Sequence, residues 1–309
     1  MRQSQTRTIA ALAFPERINV EPTNRCNLRC RWCPYSRMTR PRGFMSLALF
    51  RRIAAECAAH GAAVWLQYMG EPLLHPRIVE MISLAKGAGV GRVGLSTNAF
   101  FLDEATGLKL LASGLDRLEC SVDAADEAGF RASRGSPEFQ RVVGNIRGFL
   151  RLKQEQGTGK PVTSIQFLAR GMRGEDQVPR MVSQWQGVLG PEDFVMSIRD
   201  YSFAGSVREP VPDRNRVACR WPFRAAVILW DGTMVLCGSD FDGRAVMGKI
   251  GRGSSIAAVW TGAAFEAVRR LHRGRSWDRH PLCRGCDDWR LSDGSGYVNV
   301  LKQKTGVRE

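Results

Sequence analysis

Hydrophobic and polar positions change period repeatedly along the first two thirds of the chain. Short apolar or β-branched runs lie at 18–22, 63–69, 93–97, 115–123, 162–170 and 193–198. Between them, apolar residues recur every three or four positions, at 46–61, 76–88, 102–113, 138–154 and 175–188. The first of these stretches is representative: Leu49, Phe50, Ile53, Ala54 and Cys57 fall on one helical face before Gly61 ends it. Six strands alternating with helices predict an α/β fold with a parallel sheet, because right-handed crossovers lay each strand beside the last and curl the sheet into a full or partial barrel. In such a sheet the ligand-binding edge is where the strands end.

That edge collects the informative residues. A cysteine loop follows the first strand, Gly70-Glu71-Pro72 the second, Ser96-Thr97-Asn98 ends the third, and Ser121 and Asp123 end the fourth. A Gly-Glu-Pro turn or a Ser-Thr-Asn cap is ordinary by itself. On successive strand ends, beside three thiols spaced Cys26-x3-Cys30-x2-Cys33, they form one constellation. Zinc is the competing ligand for the loop, but three thiols with no nearby His or Asp leave a structural tetrahedron incomplete.

Residues 18 to about 200 resemble the radical S-adenosylmethionine (SAM) superfamily, whose cysteine signature is matched by Cys26, Cys30, Trp32 and Cys33. The resemblance implies a partial (β/α)6 TIM-type barrel and a 4Fe-4S cluster held by the three cysteines, with one iron open to the amino and carboxylate groups of SAM. It further implies one-electron cleavage of SAM to methionine and a 5'-deoxyadenosyl radical that abstracts hydrogen from an unactivated C–H bond. Gly70, Glu71 and Pro72 resemble the family's GGE-type segment at the SAM amino group, with Glu71 in place of the second glycine. The same resemblance puts Ser121 and Asp123 near the SAM carboxylate or ribose and Asn98 at the same edge, and gives Gln166 and Arg170 to adenosine and carboxylate contacts.

Four further cysteines pose a second ligation problem. Cys219 and Cys237 are separated by 17 intervening residues, with Gly232 five positions before Cys237, and Cys283-x2-Cys286 follows. Four thiolates close a 4Fe-4S cluster; zinc also accepts four, although a zinc ribbon brings two Cys-x2-Cys knuckles. The region resembles the SPASM and twitch auxiliary-cluster domains, through Gly232-x4-Cys237, a Gly-x-Ile at 248–250 and a helix carrying Trp260 and Phe265. No cysteine follows Cys286, so the single-cluster twitch arrangement is the better match, with a ligand spacing similar to that of aminocyclitol (scyllo-inosamine) dehydrogenation enzymes. A second, closed 4Fe-4S cluster implies an electron acceptor for a substrate radical and hence oxidation of a carbinol to a ketone. Cys120 opens an alternative, since radical epimerases return hydrogen from a cysteine thiol. Strand alternation sets Cys120 opposite Ser121, where a small core residue is the competing reading. Cys57 is read as core. Glu71, Arg170, Asp200, Tyr201 and Asp240 are the edge residues considered for a general base.

Composition narrows the setting. Nine cysteines in 309 residues, seven of them clustered, fit metal ligation in a reducing compartment better than a disulfide scaffold. The net charge of +15 comes from scattered arginines, and its densest patch, at 269–275, is a solvated helix face or an anion-binding surface, so a nucleic-acid partner is not expected. No apolar run reaches the ~20 residues of a membrane span, and the N-terminus lacks a secretory signal, which predicts a cytoplasmic protein without a membrane partner. The expected divisions are an N-terminal extension (1–14), the barrel (15–205), the auxiliary-cluster domain (206–295) and a C-terminal tail (296–309). The expected partners are a flavodoxin or ferredoxin-type electron donor and a small-molecule substrate such as an aminocyclitol, sugar or nucleotide-linked sugar. A peptide substrate is the alternative.

Overall fold

The computed structural model describes residues 9–168, 177–198, 201–211, 215–292 and 297–302. Its frame is a run of six parallel strands in sequence order: β1 (Arg17–Val20), β2 (Ala63–Leu66), β3 (Val93–Thr97), β4 (Arg117–Ser121), β5 (Val162–Leu168) and β6 (Phe194–Ile198). The crossovers carry α1 (Leu47–Ala59), α2 (Ile78–Gly87), α3 (Glu104–Ala112), α4 (Glu127–Arg134), α5 (Phe139–Glu155) and α6 (Gln177–Trp185). The barrel is partial. β1 and β6 do not pair, and the free edge of β1 instead takes β7 (Ala225–Ile228) in parallel. β8 (Thr233–Val235) and β9 (Val246–Lys249) continue antiparallel beyond it, and β10 (Tyr297–Lys302) runs antiparallel along β6. The sheet therefore has ten strands, and the hairpin that carries Cys237 is a physical extension of the barrel wall.

The two faces of the strands differ as their residue alternation requires. Ile18, Val20, Val64, Leu66, Val93, Leu95, Leu118, Cys120, Ile165, Phe167 and Val195 are buried in one cluster with Phe50, Ile53, Met81, Ile82, Ile146, Phe149 and Trp185 from the helices. This is the core, and truncating one of its large side chains costs about 3–5 kcal/mol. Arg17, Asn19, Trp65, Gln67, Glu119, Ser121 and Gln166 occupy the alternate positions and line the barrel interior. Helix starts are set by Ser46, Asp103 and Asp126, whose side-chain oxygens accept the N–H of Leu49, Thr106 and Gly129.

One interior position depends on the lack of a side chain. A Cβ on Gly94 would lie 2.6 Å from the Trp65 ring, which crosses β3 there. Gly94→Ala is therefore expected to destabilise the barrel by about 1–3 kcal/mol through displacement of the indole, lowering the thermal unfolding midpoint by several degrees. An unchanged midpoint would mean that Trp65 is free to move.

All six strands anticipated from the pattern are present, though the second ends at Leu66 rather than 69. There the Gln67 N–H turns to the carbonyl of Val20. The short helix α4 was not anticipated, nor was a strand in the segment read as a C-terminal tail. α7 (Trp221–Arg224), α8 (Ile256–Thr261) and α9 (Ala263–Arg273) complete the C-terminal part. Among the described residues no helix is long and apolar enough to cross a membrane.

Candidate active site

The cysteine loop leaves β1 at Glu21 and returns to α1 near Met45, and its own polar groups fix its course. Asn24 spans the mouth, donating to the Pro41 carbonyl at 2.7 Å and accepting the Gly43 N–H at 2.8 Å. Thr23 donates to the Gly43 carbonyl at 2.6 Å. Inside the loop the Cys26 N–H donates to the Tyr35 hydroxyl, and the Tyr35 ring lies under Arg42, 4.1 Å from its centroid. Gly70 closes against this loop. Its φ of +110° and the 2.4 Å approach of a Cβ at this position to the Thr23 carbonyl leave room only for glycine. The Glu71 N–H donates to the Arg25 carbonyl at 2.8 Å, tying the end of β2 to the loop.

Cys26, Cys30 and Cys33 line a cavity of about 230 Å3 together with Trp32, Gly70, Glu71, Asn98, Ser121, Asp123, Arg134 and Gln166. Burial pushes the Cys26 thiol up to about 11 and the Cys33 thiol up to about 12, so both are protonated in the absence of a metal, and a bound metal has to displace those protons. Among the described residues, no three His, Cys, Asp or Glu side chains converge on a point that one metal ion could fill. Thiols without carboxylate or imidazole partners suit an iron–sulfur cluster, whose ligands stand around a larger body than a single ion.

The site residues expected from the sequence are placed as follows. Glu71 is buried, and its carboxylate accepts from the Thr97 hydroxyl (2.7 Å) and from the N–H groups of Asn98 (2.7 Å) and Leu73 (2.9 Å). Burial raises its pKa, and these bonds oppose the rise. Three of about four lone-pair sites are thus taken up in tying β2 to β3. Pro72 begins the turn that follows Glu71. Asn98 donates to Asn27 at 2.9 Å. Asp123, at φ +59°, pairs with Arg134 at 2.8 Å and accepts the Leu168 N–H at 2.7 Å. Ser121 and Gln166 line the cavity, while Arg170 lies outside the described residues, as does Asp200. Asp240 is occupied in capping the N–H groups of Arg244 and Ala245. Cys57 is buried on α1. Cys120 is fully buried in the core between sheet and helices, as its reading as a small core residue expects, and its neighbours Glu119 and Ser121 face the interior instead.

Arg134 was missed. Its guanidinium lies between the Asp123 carboxylate and the Cys30 sulfur, 3.6 Å from the latter; burial works against its charge, and the Asp123 carboxylate more than offsets this, so it stays cationic. The signal was available in the Asp126 cap and in Gly135, which ends α4 at φ +67°.

A second cavity, of about 420 Å3, continues down the barrel axis. It is lined by Arg17, Asn19, Trp65, Glu119, Gln166 and Met196 from the strands, by Gln67 and Tyr68 just past β2, by Tyr201 and Phe203, and by Trp221 and Gly238 from the C-terminal part. The wall common to both cavities is Gln67, Tyr68, Gln166 and Leu168. Ser96 links the lining, its hydroxyl donating toward the Gln67 amide oxygen (2.7 Å) and the Glu119 carboxylate (2.6 Å) while it accepts the Trp65 indole N–H (3.1 Å). Burial raises the Glu119 pKa, and its hydrogen bond to Ser96 opposes this.

Beyond this cavity stand the remaining four thiols. Cys219 precedes α7, Cys237 follows β8, and Cys283 and Cys286 share a turn in which the Cys286 N–H donates to the Cys283 carbonyl. Burial pushes Cys219 up to about 11 and Cys283 up to about 12. Cys237 is raised well above the ordinary thiol range by burial and then by Cys219, Cys283 and Cys286, so the four sulfurs share one locale. Asp288 anchors the facing loop, accepting from the Ser202 N–H (2.6 Å), the Ala204 N–H (3.0 Å) and the Ser239 hydroxyl (2.7 Å).

Both halves of this arrangement are represented among known proteins. Residues 20–166 match the radical SAM superfamily, and residues 219–287 match the iron-sulfur cluster-binding SPASM domain. The chain is a radical SAM enzyme with an auxiliary-cluster domain. Over nearly its whole length it is 23% identical to the tungsten-containing aldehyde ferredoxin oxidoreductase cofactor-modifying protein of Pyrococcus furiosus, covering 91% of this chain and 89% of that one. It is also 23% identical to the S-adenosyl-L-methionine-dependent 2-deoxy-scyllo-inosamine dehydrogenase of Niallia circulans, covering 92% and 97%. Among solved structures, BtrN in complex with AdoMet and 2-DOIA superimposes with a TM-score of 0.62 at 19% identity, covering 88% of this chain and 92% of that one. Streptococcus suis SuiB bound to precursor peptide SuiA superimposes with a TM-score of 0.67 at 13% identity, covering 84% and 67%.

Proposed function

We propose that the chain oxidises a carbinol of a small biosynthetic molecule to a ketone, with SAM in the cysteine-lined cavity and the substrate in the larger one beside it. The observation that carries this reading is the order of the parts: three thiols, one cavity, a shared wall, a second cavity, four thiols. Cys26, Cys30 and Cys33 would hold a 4Fe-4S cluster open at one iron, and Cys219, Cys237, Cys283 and Cys286 a closed one. Together with SAM these groups supply a 5'-deoxyadenosyl radical at one end of the substrate and a one-electron acceptor at the other.

The chain's own residues account for the rest. Gly70 lets the strand end approach the cysteine loop, and Glu71 locks β2 to β3 so that Asn98 and Ser121 keep their places at the cavity edge. Arg134 brings positive charge to Cys30 and holds Asp123. Trp65, Met196, Phe203 and Trp221 give the inner cavity apolar walls that exclude water from a reactive substrate, and Glu119, Gln67 and Asn19 give it polar contacts. At about 420 Å3 it suits a molecule of one or two rings. The similar dehydrogenase of Niallia circulans supports the reaction type, and 2-deoxy-scyllo-inosamine is the first compound to offer. A flavodoxin or ferredoxin-type protein would supply the electron.

Anaerobic reconstitution is expected to give about eight irons per chain, for two 4Fe-4S clusters, and SAM with dithionite to release 5'-deoxyadenosine. About four irons would remove the auxiliary acceptor and with it the oxidation. Zinc in place of iron would end the radical reading altogether.

A further inference from the structure

Four residues form the wall where the two cavities meet, and two of them carry buried polar atoms without a hydrogen-bond partner: the Tyr68 phenol oxygen and the Gln166 amide nitrogen. Unpaired buried polar atoms are rare in native proteins and call for a specific reason. The Gln166 amide lies close to Glu119 but makes no well-formed bond to it. Tyr68 is placed with unusual economy. Its ring packs in the apolar cluster that includes Cys26 and Cys33, and also in the one that includes Cys219 and Cys237.

We propose that Tyr68 and Gln166 are a pair of donors that grip one oxygen of the substrate at the junction of the two cavities, so that the ligand is an uncharged or cationic polyhydroxylated small molecule rather than an anion. This rests on the reading that the larger cavity receives the substrate. A phenol O–H and an amide N–H are both neutral hydrogen-bond donors. Two neutral donors serve an acceptor oxygen, and they serve it better as negative charge develops on it when a carbinol becomes a carbonyl. Glu119 and the unpaired Asn19 carbonyl oxygen face the same cavity as acceptors, suited to hydroxyl or amine hydrogens elsewhere on the ligand. Neighbouring hydroxyls on a ring supply that mixture, whereas a carboxylate or phosphate would meet the Glu119 carboxylate and find Arg17, the cation lining the same cavity, already drawn to it.

The test uses the anaerobic, cluster-loaded protein with SAM, and two probes of similar size: myo-inositol, and cyclohexylamine, which has no oxygen. Saturation-transfer NMR titration is expected to show saturable binding of myo-inositol to the wild type. Tyr68→Phe keeps the ring and Gln166→Met keeps the volume. Each is expected to weaken myo-inositol by about 5–10-fold, the loss of one hydrogen bond, and to leave cyclohexylamine unchanged. Iron content and cluster absorbance are expected to stay at the wild-type values in both, with 5'-deoxyadenosine release from SAM and dithionite recorded alongside. No saturable binding of myo-inositol to the wild type, or equal affinity in the wild type and both variants, would overturn the proposal. So would a parallel loss of SAM cleavage, which would put the two residues at the cofactor. A wild type that binds myo-inositol in this residue-dependent way yet releases no 5'-deoxyadenosine would support the donor pair and defeat the radical reading instead.

Discussion

Cys30→Ala is expected to reduce 5'-deoxyadenosine formation to background while leaving the chain folded. Cys30 sits in a loop whose course is held by Asn24, Thr23 and Tyr35, none of which bonds through its sulfur. Among the described residues the Arg134 contact at 3.6 Å is the one hydrogen bond made by the thiol itself, and it is long. Loss of the sulfur therefore has a small effect on folding. Its effect on metal binding is large, because three thiolates are the fewest that hold a cubane with one iron open. Iron content should fall from about eight to about four per chain, with the auxiliary cluster's spectrum unchanged. Cys57→Ala and Cys120→Ala are the matched controls: both thiols lie in the core, both substitutions remove a small apolar volume, and neither should alter iron content or SAM cleavage. A Cys30→Ala protein that still cleaves SAM would sink the assignment of the loop.

Much of this site could be read from the sequence because its chemistry is local. Cys26, Cys30 and Cys33 lie within eight residues, and strand order alone brings Glu71, Asn98 and Ser121 to the same edge. Periodicity separated strands from helices because the core face is continuously apolar. What remained hidden depends on contacts between distant segments. Arg134 reaches Cys30 across 104 positions, from a helix too short to stand out by period. Tyr68 was read as part of a longer strand, yet the strand stops at Leu66 and the next residues turn across the barrel mouth. Glu119 was passed over beside the more conspicuous Cys120, although alternation already assigned the two to opposite faces. The pairing of β7 with β1 has no local signal, since the apolar run at 225–229 would suit any buried edge.

Arg40→Met is expected to cost about 3–5 kcal/mol of stability, the penalty for leaving a buried charge unpaired. Glu21 ends β1 with no side-chain exposure, and the Arg40 guanidinium pairs with both of its oxygens from the far arm of the cysteine loop. The Trp230 N–H, 3.2 Å away, is the main donor left to it from the auxiliary part. Burial already raises the Glu21 pKa against the pull of Arg40, and removing the guanidinium raises it further. A carboxyl whose folded value lies above its unfolded value of about 4.3 loses stability as the pH rises through the folded value. The deficit of Arg40→Met should therefore shrink as the pH is lowered from 8 toward the unfolded carboxyl value, read by denaturant unfolding across that range. Adding Glu21→Leu should recover most of it, because an apolar pair of similar volume removes the stranded charge. The same guanidinium donates to the Phe241 carbonyl at 2.8 Å, and the adjacent Thr39 N–H and hydroxyl donate to Asp242. Arg40 thus joins the loop of the first three cysteines to the turn that follows Cys237, so Arg40→Met is also expected to weaken SAM binding, and that loss should persist in the rescued double variant. Full recovery of SAM affinity there would show that Glu21, and not the link between the two cysteine sites, was the cause.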